Sequence, residues 1–240
     1  MKKEIKEVDL EGLVTLNVIE KADHFNEWMY DTISSNCNGR ILEIGSGIGN
    51  ISKFFIRDKK EIVLSDLRNN YCEIVKQKYT NNEVIKIDLV HTDFEKEYKY
   101  LIGTFDAVFA LNVVEHIEDD ILAIANCKKL LKTGGKLTIL VPAYQFLFCD
   151  FDVELEHYRR YTQKSLIRII KANDLYIHKT FYFNFIGILG WFFTGKILKK
   201  KTIPEGQMGL FNKLVPVFKL ADFLTFRKIG LSVICVSEKK

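Results

Sequence analysis

Residues 41–50 read Ile41-Leu42-Glu43-Ile44-Gly45-Ser46-Gly47-Ile48-Gly49-Asn50, a short apolar run that breaks into three glycines at alternate positions. The apolar run predicts a buried parallel strand. The glycines predict a tight strand-to-helix turn that has no Cβ atoms to block the close approach of a ligand. Glu43 lies just before the turn, where its carboxylate can face whatever binds there.

The spacing of these glycines separates two kinds of nucleotide-binding turn. A dinucleotide-binding turn follows the pattern Gly-x-Gly-x-x-Gly, with an acidic residue about 20 positions further on. This chain instead has Gly-x-Gly-x-Gly, with Glu43 two residues before the first glycine. The spacing therefore argues against an NAD-dependent oxidoreductase. Because all three glycines are intact, it also argues against a non-catalytic module that merely keeps this fold.

Candidate strands alternate with candidate helices along the chain, which predicts an α/β fold. We expect a Rossmann-like, mostly parallel seven-stranded sheet with helices on both faces. The predicted strands are 40–44, 61–65, 84–90, 105–111, 136–141, 176–183 and 231–236. The predicted helices are 24–34, 117–131, which precedes a Lys-Thr-Gly-Gly stop signal at 132–135, and 162–172, which Thr162 caps.

The composition is that of an ordinary globular protein that can bury one substantial core. The chain has 240 residues, of which 48% are hydrophobic and 28% charged, with a formal net charge of +4. Its five cysteines are scattered without a C-x-x-C pair, which predicts reduced thiols and no zinc site. We expect no metal and no nucleic-acid partner. No apolar run follows Met1-Lys2-Lys3-Glu4, so we expect no signal peptide and a cytoplasmic location.

Four later positions fit a sheet that binds a nucleoside. Asp66 ends the second strand, where a carboxylate can accept hydrogen bonds from two ribose hydroxyls. Asp93-Phe94 follow the third strand and offer a polar group and an apolar face for adenine. Residues 110–116 read Ala-Leu-Asn-Val-Val-Glu-His after the fourth strand, and residues 130–136 read Leu-Leu-Lys-Thr-Gly-Gly-Lys before the fifth. With the glycine loop, this series resembles class I S-adenosylmethionine-dependent methyltransferases.

Further motifs narrow the resemblance to a bacterial subgroup of the type 11/12 methyltransferases, which tends to accompany polysaccharide and lipid-linked sugar biosynthesis. The stretch from about 24 to 236 is similar to this subgroup, through four motifs. These are Phe25-Asn26-x-Trp28-Met29-Tyr30, His157-Tyr158-Arg159-Arg160-Tyr161-Thr162, Phe183-Asn184-x-x-Gly187-x-x-Gly190-Trp191 and Gly230-Leu231-Ser232. The resemblance implies one domain over 1–240, with an N-terminal cap at 1–38, a cofactor-binding core at 39–142 and a substrate-side half at 143–240.

The resemblance also implies site residues. Those expected to bind S-adenosylmethionine are Phe25, Trp28, Glu43, Gly45, Ser46, Gly47, Gly49, Asp66, Leu67, Asp93, Phe94, Asn112 and Val113. Those expected to bind the acceptor are Tyr144, Tyr158, Arg159, Arg160 and Tyr161. From the residues alone, Asp66 could instead cap a strand, Asp93 could be a turn residue and Trp28 could be core.

The stretch 150–161 is predicted to form a loop at the carboxyl end of the sheet, where ligands of open α/β sheets bind. Arg159 and Arg160 can make bidentate contacts to an acceptor phosphate or carboxylate, or pair with nearby acids to order the loop. His157 and His116 are the two candidate general bases, because the ordinary pKa of histidine is near neutrality. For each of them the alternative is a structural hydrogen bond.

The segment 184–230 is too long for a simple connection, so we expect it to be an insertion with structure of its own. Its residues 185–198 are almost wholly apolar, and lysines follow at 199–201. Three interpretations stay open for 185–201: a wall over the site, a helix in the membrane interface, or a dimer contact. The expected activity is methyl transfer to an oxygen or nitrogen of a saccharide, a lipid-linked sugar or a similar anionic small molecule. A quinone or other lipid acceptor, methylated by a protein peripheral to the membrane, is the alternative.

Overall fold

The computed structural model describes residues 10–200 and 205–240. Its sheet has seven strands in the order β3-β2-β1-β4-β5-β7-β6, and β7 runs antiparallel to both of its neighbours while the other pairs are parallel. The predicted fold class is therefore confirmed. The strands are β1 (Ile41–Ile44), β2 (Ile62–Asp66), β3 (Val84–Lys86), β4 (Phe105–Leu111), β5 (Leu131–Pro142), β6 (Leu175–Phe183) and β7 (Ser232–Lys239).

Helices connect the strands and cover the sheet. In chain order they are α1 (Leu10–Glu20), α2 (Asp23–Ile33), α3 (Ser52–Arg57), α4 (Asn69–Lys78), α5 (Phe94–Glu97), α6 (Asp120–Leu130), α7 (Asp150–Glu154), α8 (Gln163–Ala172), α9 (Gly187–Trp191), α10 (Glu205–Lys213) and α11 (Val215–Leu224). Short 3-10 turns occupy Ser34–Asn36, Val114–His116 and Gln145–Leu147, and a π-helical turn occupies Phe192–Ile197. Thr162 caps α8 as predicted, because its hydroxyl accepts a hydrogen bond from the Ser165 N–H.

The sheet is buried on both faces, since successive residues of each strand point to opposite sides. Leu42 and Val108 lie in one core cluster with residues of α6 and α8. Ile41 and Phe109 lie in a second cluster with residues of α2, α3 and α11. This double burial explains why β1 and β4 read as continuous apolar runs rather than as alternating patterns.

Two predicted strand boundaries differ from the structure by four or more residues. The third strand ends at Lys86 and not at residue 90, because the Asp88 side chain accepts a hydrogen bond from the Val90 N–H and turns the chain. The fifth strand begins at Leu131, directly after α6, so the stretch 132–135 is a bulge within the strand rather than a connection. A left-handed conformation at Gly134, with φ of 80°, accommodates this bulge.

The insertion 184–230 does carry structure of its own. It contains α9 to α11, and α11 buries Val215 and Phe218 against α2. The Asp222 carboxylate fixes the start of the insertion by accepting hydrogen bonds from the backbone N–H groups of Asn184 and Phe185, at 2.8 and 2.7 Å. Within the described ranges, no helix has the length and apolar character needed to cross a bilayer. Lys201, and the residues 1–4 that bear on a signal peptide, lie outside these ranges.

Candidate functional site

A cavity of about 1150 Å³ opens at the carboxyl ends of β1, β2 and β4. This is the edge of an open α/β sheet at which ligands bind. The wall of the cavity comes from the glycine loop after β1, the end of β2, the loop after β3, the turn after β4, the loop before α8 and the insertion. Elements that are distant in sequence therefore converge on one space, which is large enough to hold a drug-sized molecule.

The glycine loop forms one side of the cavity through Gly45 and Gly47. Both adopt left-handed backbone conformations, with φ of 75° and 52°. A Cβ atom added to Gly45 would lie 2.4 Å from Cγ2 of Val113, so the loop and the turn after β4 are in close contact. Gly49 has a different role from the one expected, because a Cβ there would meet the ring of Tyr79 and not the cavity.

Two buried carboxylates hold the loop in place. Asp66, at the end of β2, accepts hydrogen bonds from the N–H groups of Gly47 and Arg68, each at 3.0 Å. Glu43 accepts a hydrogen bond from the Ser52 hydroxyl. Burial raises the pKa of Glu43 to about 7, although its hydrogen bonds with Ser52 and Ser46 act in the opposite direction. Asp66 lines the cavity and, as a carboxylate with about four acceptor positions, keeps capacity for a ligand hydroxyl.

The loop after β3 contributes one residue that the sequence reasoning missed. Asp93 is exposed and precedes α5, Phe94 is buried, and both line the cavity as expected. Asp88 is half-buried on the same wall and lies closer to the end of β3. The missed signal was the strand boundary, since ending the strand at Lys86 would have made Asp88 the first acid beyond it.

The turn after β4 brings Asn112 and Val113 to the cavity, as expected, and Leu67 lies on the same wall. Asn112 has a left-handed φ of 54°, a conformation that costs a non-glycine residue about 1–3 kcal/mol and is enriched at ligand sites. Its N–H donates to the Leu140 carbonyl at 2.9 Å, which fixes this strained residue against β5.

The two aromatic residues expected from α2 have different positions. Phe25 lines the cavity and packs edge-on against Phe211 of the insertion, with ring centroids 5.4 Å apart. Trp28 is only 3% exposed and packs against Phe183, with centroids 4.3 Å apart. It does not reach the cavity, which favours core packing as its role.

Glu115, His116 and His157 lie together at the deep end of the cavity. The His116 ring is exposed to the cavity, but the surrounding protein desolvates it and, with the nearby His157, lowers its pKa to about 3. Nδ1 of His157 lies 2.8 Å from Oδ1 of Asp152. Glu115 was not predicted as a site residue; burial raises the pKa of its carboxyl group to about 8.

The arginines expected to bind the acceptor are paired within the protein. Arg160 has a side chain that is 1% exposed, and its Nε donates to Oδ1 of Asp152 at 2.8 Å. Its guanidinium also stacks on Trp191 of α9, 4.4 Å from the ring centroid. Arg159 donates to Asp120 at 2.8 Å. This geometry favours the loop-ordering alternative for both arginines.

The three tyrosines expected near the acceptor lie in different places. Tyr158 lines the cavity and is 37% exposed. Tyr161 is buried away from it, and its hydroxyl donates to Asp120 at 2.9 Å. Tyr144 is stacked on Tyr182 outside the cavity, with ring centroids 5.1 Å apart. Only Tyr158 of the three is therefore placed to touch a molecule in the cavity.

The core of the chain is similar to known proteins. Residues 42–139 match the family described as Methyltransferase domain. A ubiquinone biosynthesis O-methyltransferase of Xanthomonas oryzae pv. oryzae is 30% identical over 98 residues, which are 41% of this chain and 41% of that protein. The chain thus matches about two-fifths of the length of this curated relative.

Solved structures extend the likeness to nearly the whole chain. A possible histamine N-methyltransferase of Thermotoga maritima has a TM-score of 0.59 at 15% identity, and the match covers 95% of this chain and 97% of that one. Phosphoethanolamine N-methyltransferase 2 of Haemonchus contortus, solved with S-adenosyl-L-methionine, has a TM-score of 0.53 at 17% identity, covering 85% of this chain and 49% of that one. The fold is that of the S-adenosylmethionine-dependent methyltransferases.

Proposed function

We propose that this protein is an S-adenosylmethionine-dependent methyltransferase that binds its cofactor against the loop after β1. The observation that carries the proposal is the convergence of Gly45, Gly47 and Asp66 on one cavity at the carboxyl edge of the sheet. A Cβ on Gly45 or Gly47 would collide with Val113 or Leu16, which line the same cavity, and Asp66 offers a buried acceptor for ribose hydroxyls. The match of residues 42–139 to a methyltransferase family supports the same conclusion.

Methyl transfer requires mainly that the acceptor be positioned correctly. S-adenosylmethionine, when bound, supplies a methyl group on a sulfonium that is already activated. The residues of the cavity hold the acceptor in line with that methyl group and exclude water. A hydroxyl acceptor also has to lose its proton. His116 faces the cavity, but its pKa of about 3 makes the ring a weak base at physiological pH, so this proton has to leave by another route.

Binding of S-adenosylhomocysteine tests the proposed cofactor. At about 100 times its Kd this product should stabilise the protein by roughly 2.7 kcal/mol, and NAD should not. Asp66→Ala should weaken binding by about 1–3 kcal/mol, since it removes hydrogen bonds to a charged acceptor. Thermal shift measures the stabilisation, and calorimetry measures the change in affinity.

The matched control is Glu73→Ala, which removes an exposed carboxylate from α4, the helix after Asp66. It should leave the affinity unchanged. Stabilisation by NAD alone, or full affinity in Asp66→Ala, would contradict the cofactor assignment.

For the acceptor, we propose a hydroxyl-bearing molecule with an apolar portion, either a lipid-linked sugar or a quinone-type ring. The insertion supports an apolar portion, because Gly190, Trp191 and Thr194 line the cavity while Phe192 and Phe193 beside them are exposed. The relative from Xanthomonas oryzae is named for ubiquinone biosynthesis. The internal pairing of Arg159 and Arg160 removes the main support for a purely anionic sugar.

An apolar acceptor would reach the cavity from a membrane surface, so we expect the protein to bind vesicles. Exposed Phe193 and neighbouring apolar side chains would enter the interface while Lys196, Lys199 and Lys200 meet anionic headgroups. Co-sedimentation with anionic vesicles at low salt should pellet the protein, and Phe193→Asp should lower the bound fraction several-fold. Tyr100→Asp, at an exposed aromatic residue outside the insertion, is the control and should have no effect. Absence of pelleting would favour a water-soluble acceptor.

A further inference from the structure

The cluster of Glu115, His116 and His157 combines two imidazoles and a carboxylate at the cavity wall. Glu115 and His116 lie in the 3-10 turn Val114–His116 after β4, and His157 comes from the loop between α7 and α8. One potential ligand atom from each residue lies within 4.8 Å of the other two. The three side chains are thus close enough to share one ion.

The Glu115 carboxylate is the unusual member of this cluster. It is fully buried, and neither of its oxygens has a hydrogen-bond partner among the residues that the structure describes. Buried polar groups in proteins are nearly always paired, because leaving one without a partner is costly and leaving a charge without one is much more so. The charge of Arg160 acts on Glu115 from a distance, but neither carboxylate oxygen is bonded, so the geometry points to a positively charged ligand at these oxygens.

Each histidine has a neighbour of the kind that accompanies metal-binding histidines. Nδ1 of His157 contacts Asp152, which leaves Nε2 available to a ligand. The ring of His116 interacts with the backbone carbonyl of Leu155. In protein metal sites a ligating histidine typically donates its other ring N–H to a carboxylate or a backbone carbonyl, which fixes the tautomer and raises the basicity of the ligand nitrogen. His157 has such a partner in the Asp152 carboxylate, 2.8 Å from its Nδ1.

We propose that Glu115, His116 and His157 bind one divalent transition-metal ion of the zinc type, with an open coordination position towards the cavity. Three protein ligands of mixed imidazole and carboxylate type are typical of zinc sites that leave a position for water or substrate. The proposal differs from the expectation from sequence, which found no ligand spacing. Adjacent residues 115 and 116 with a third ligand at 157 form no recognisable sequence pattern, and only the fold brings them together.

The role of the ion rests on the proposed methyltransferase function. The hydroxyl of the acceptor would take the open position, where the ion lowers its pKa so that its proton passes to solvent. The oxygen lone pair then forms a bond to the methyl carbon while the sulfur–carbon bond breaks and its electron pair stays on sulfur. This role identifies the acceptor as a hydroxyl compound.

Metal binding can be tested without cofactor or acceptor. Chelator-treated protein is titrated with Co²⁺, followed by its visible absorption, and with Zn²⁺ by calorimetry. We expect one ion per chain, displacement of Co²⁺ by Zn²⁺ and none by Mg²⁺ at equal concentration. Glu115→Gln should lower the affinity for Co²⁺ at least tenfold. Glu118→Gln, which changes an exposed carboxylate three positions on, is the matched control and should bind Co²⁺ as the unchanged protein does.

Thermal unfolding separates loss of a ligand from loss of the fold. Without metal, Glu115→Gln should unfold at the same temperature as the unchanged protein or higher, because it removes an unpaired buried carboxylate. Zn²⁺ should then raise the unfolding temperature of the unchanged protein but not of the variant. Absence of a saturable site, or equal affinity in Glu115→Gln, would overturn the proposal. Since S-adenosylhomocysteine is absent, failure of the cofactor assignment would leave this result unaffected.

Discussion

Asp152→Ala is expected to lower the free energy of unfolding by about 3–5 kcal/mol, the usual cost of removing one partner of a buried ion pair. The side chains of Asp152 and Arg160 are 0% and 1% exposed. Burial raises the pKa of Asp152, but the hydrogen bond from His157 and the charge of Arg160 outweigh it and hold the pKa below its usual range. Alanine would leave the Arg160 guanidinium buried with only the Ala143 carbonyl, at 3.2 Å, and the Trp191 ring for partners.

Urea unfolding of three variants would identify the source of this loss. Asp150→Ala removes an exposed carboxylate from the same helix and should change stability by less than about 0.5 kcal/mol. The double variant Asp152→Ala/Arg160→Met should recover part of the loss, since an apolar replacement of a buried pair is often tolerated. A loss below about 1 kcal/mol in Asp152→Ala would mean that the pair does not hold the loop in place.

Gly45→Ala should weaken S-adenosylhomocysteine binding at least about tenfold, which is about 1.4 kcal/mol. The new Cβ would lie 2.4 Å from Cγ2 of Val113, so the turn after β4 has to move, and that turn is a wall of the cavity. The left-handed φ of 75° adds backbone strain of about 1–3 kcal/mol. Calorimetry measures the affinity, and thermal unfolding measures the strain.

Gly103→Ala provides a control for the strain alone. Gly103 also has a left-handed φ, of 65°, but a Cβ there would have no atom within 4 Å. This variant should lose stability and keep its affinity for S-adenosylhomocysteine. Equal affinity in Gly45→Ala and the unchanged protein would place the cofactor away from the contact between Gly45 and Val113.

The sheet and the glycine loop could be predicted from sequence because their signals are local. The apolar run before Gly45 and the acid at the end of the second strand each follow from a few adjacent residues. The connections were less predictable. The stretch 132–135 has the residues of a helix stop, yet Leu131 is fully buried opposite Phe105 and begins the strand five residues earlier than the local signal indicates.

Side-chain direction was the part that sequence could not provide. Trp28 and Phe25 lie one helical turn apart in the same motif, yet one packs in the core and the other faces the cavity. Tyr158 and Arg160 are two residues apart and both line the cavity, but Tyr158 is exposed while Arg160 is buried in its ion pair with Asp152. Glu115 has no sequence signal at all, because its significance depends on His157, which a separate loop brings to it.

The position of β7 between β5 and β6 has a consequence for biosynthesis. β6 is translated well before β7 but has no strand to pair with until the intervening residues 184–231 have left the ribosome. At typical elongation rates of about 5–20 residues per second, those residues take roughly 2–10 s. During that interval the edges of β5 and β6 that β7 later pairs with are both exposed. We therefore expect the growing chain to depend most on chaperones at this stage of translation.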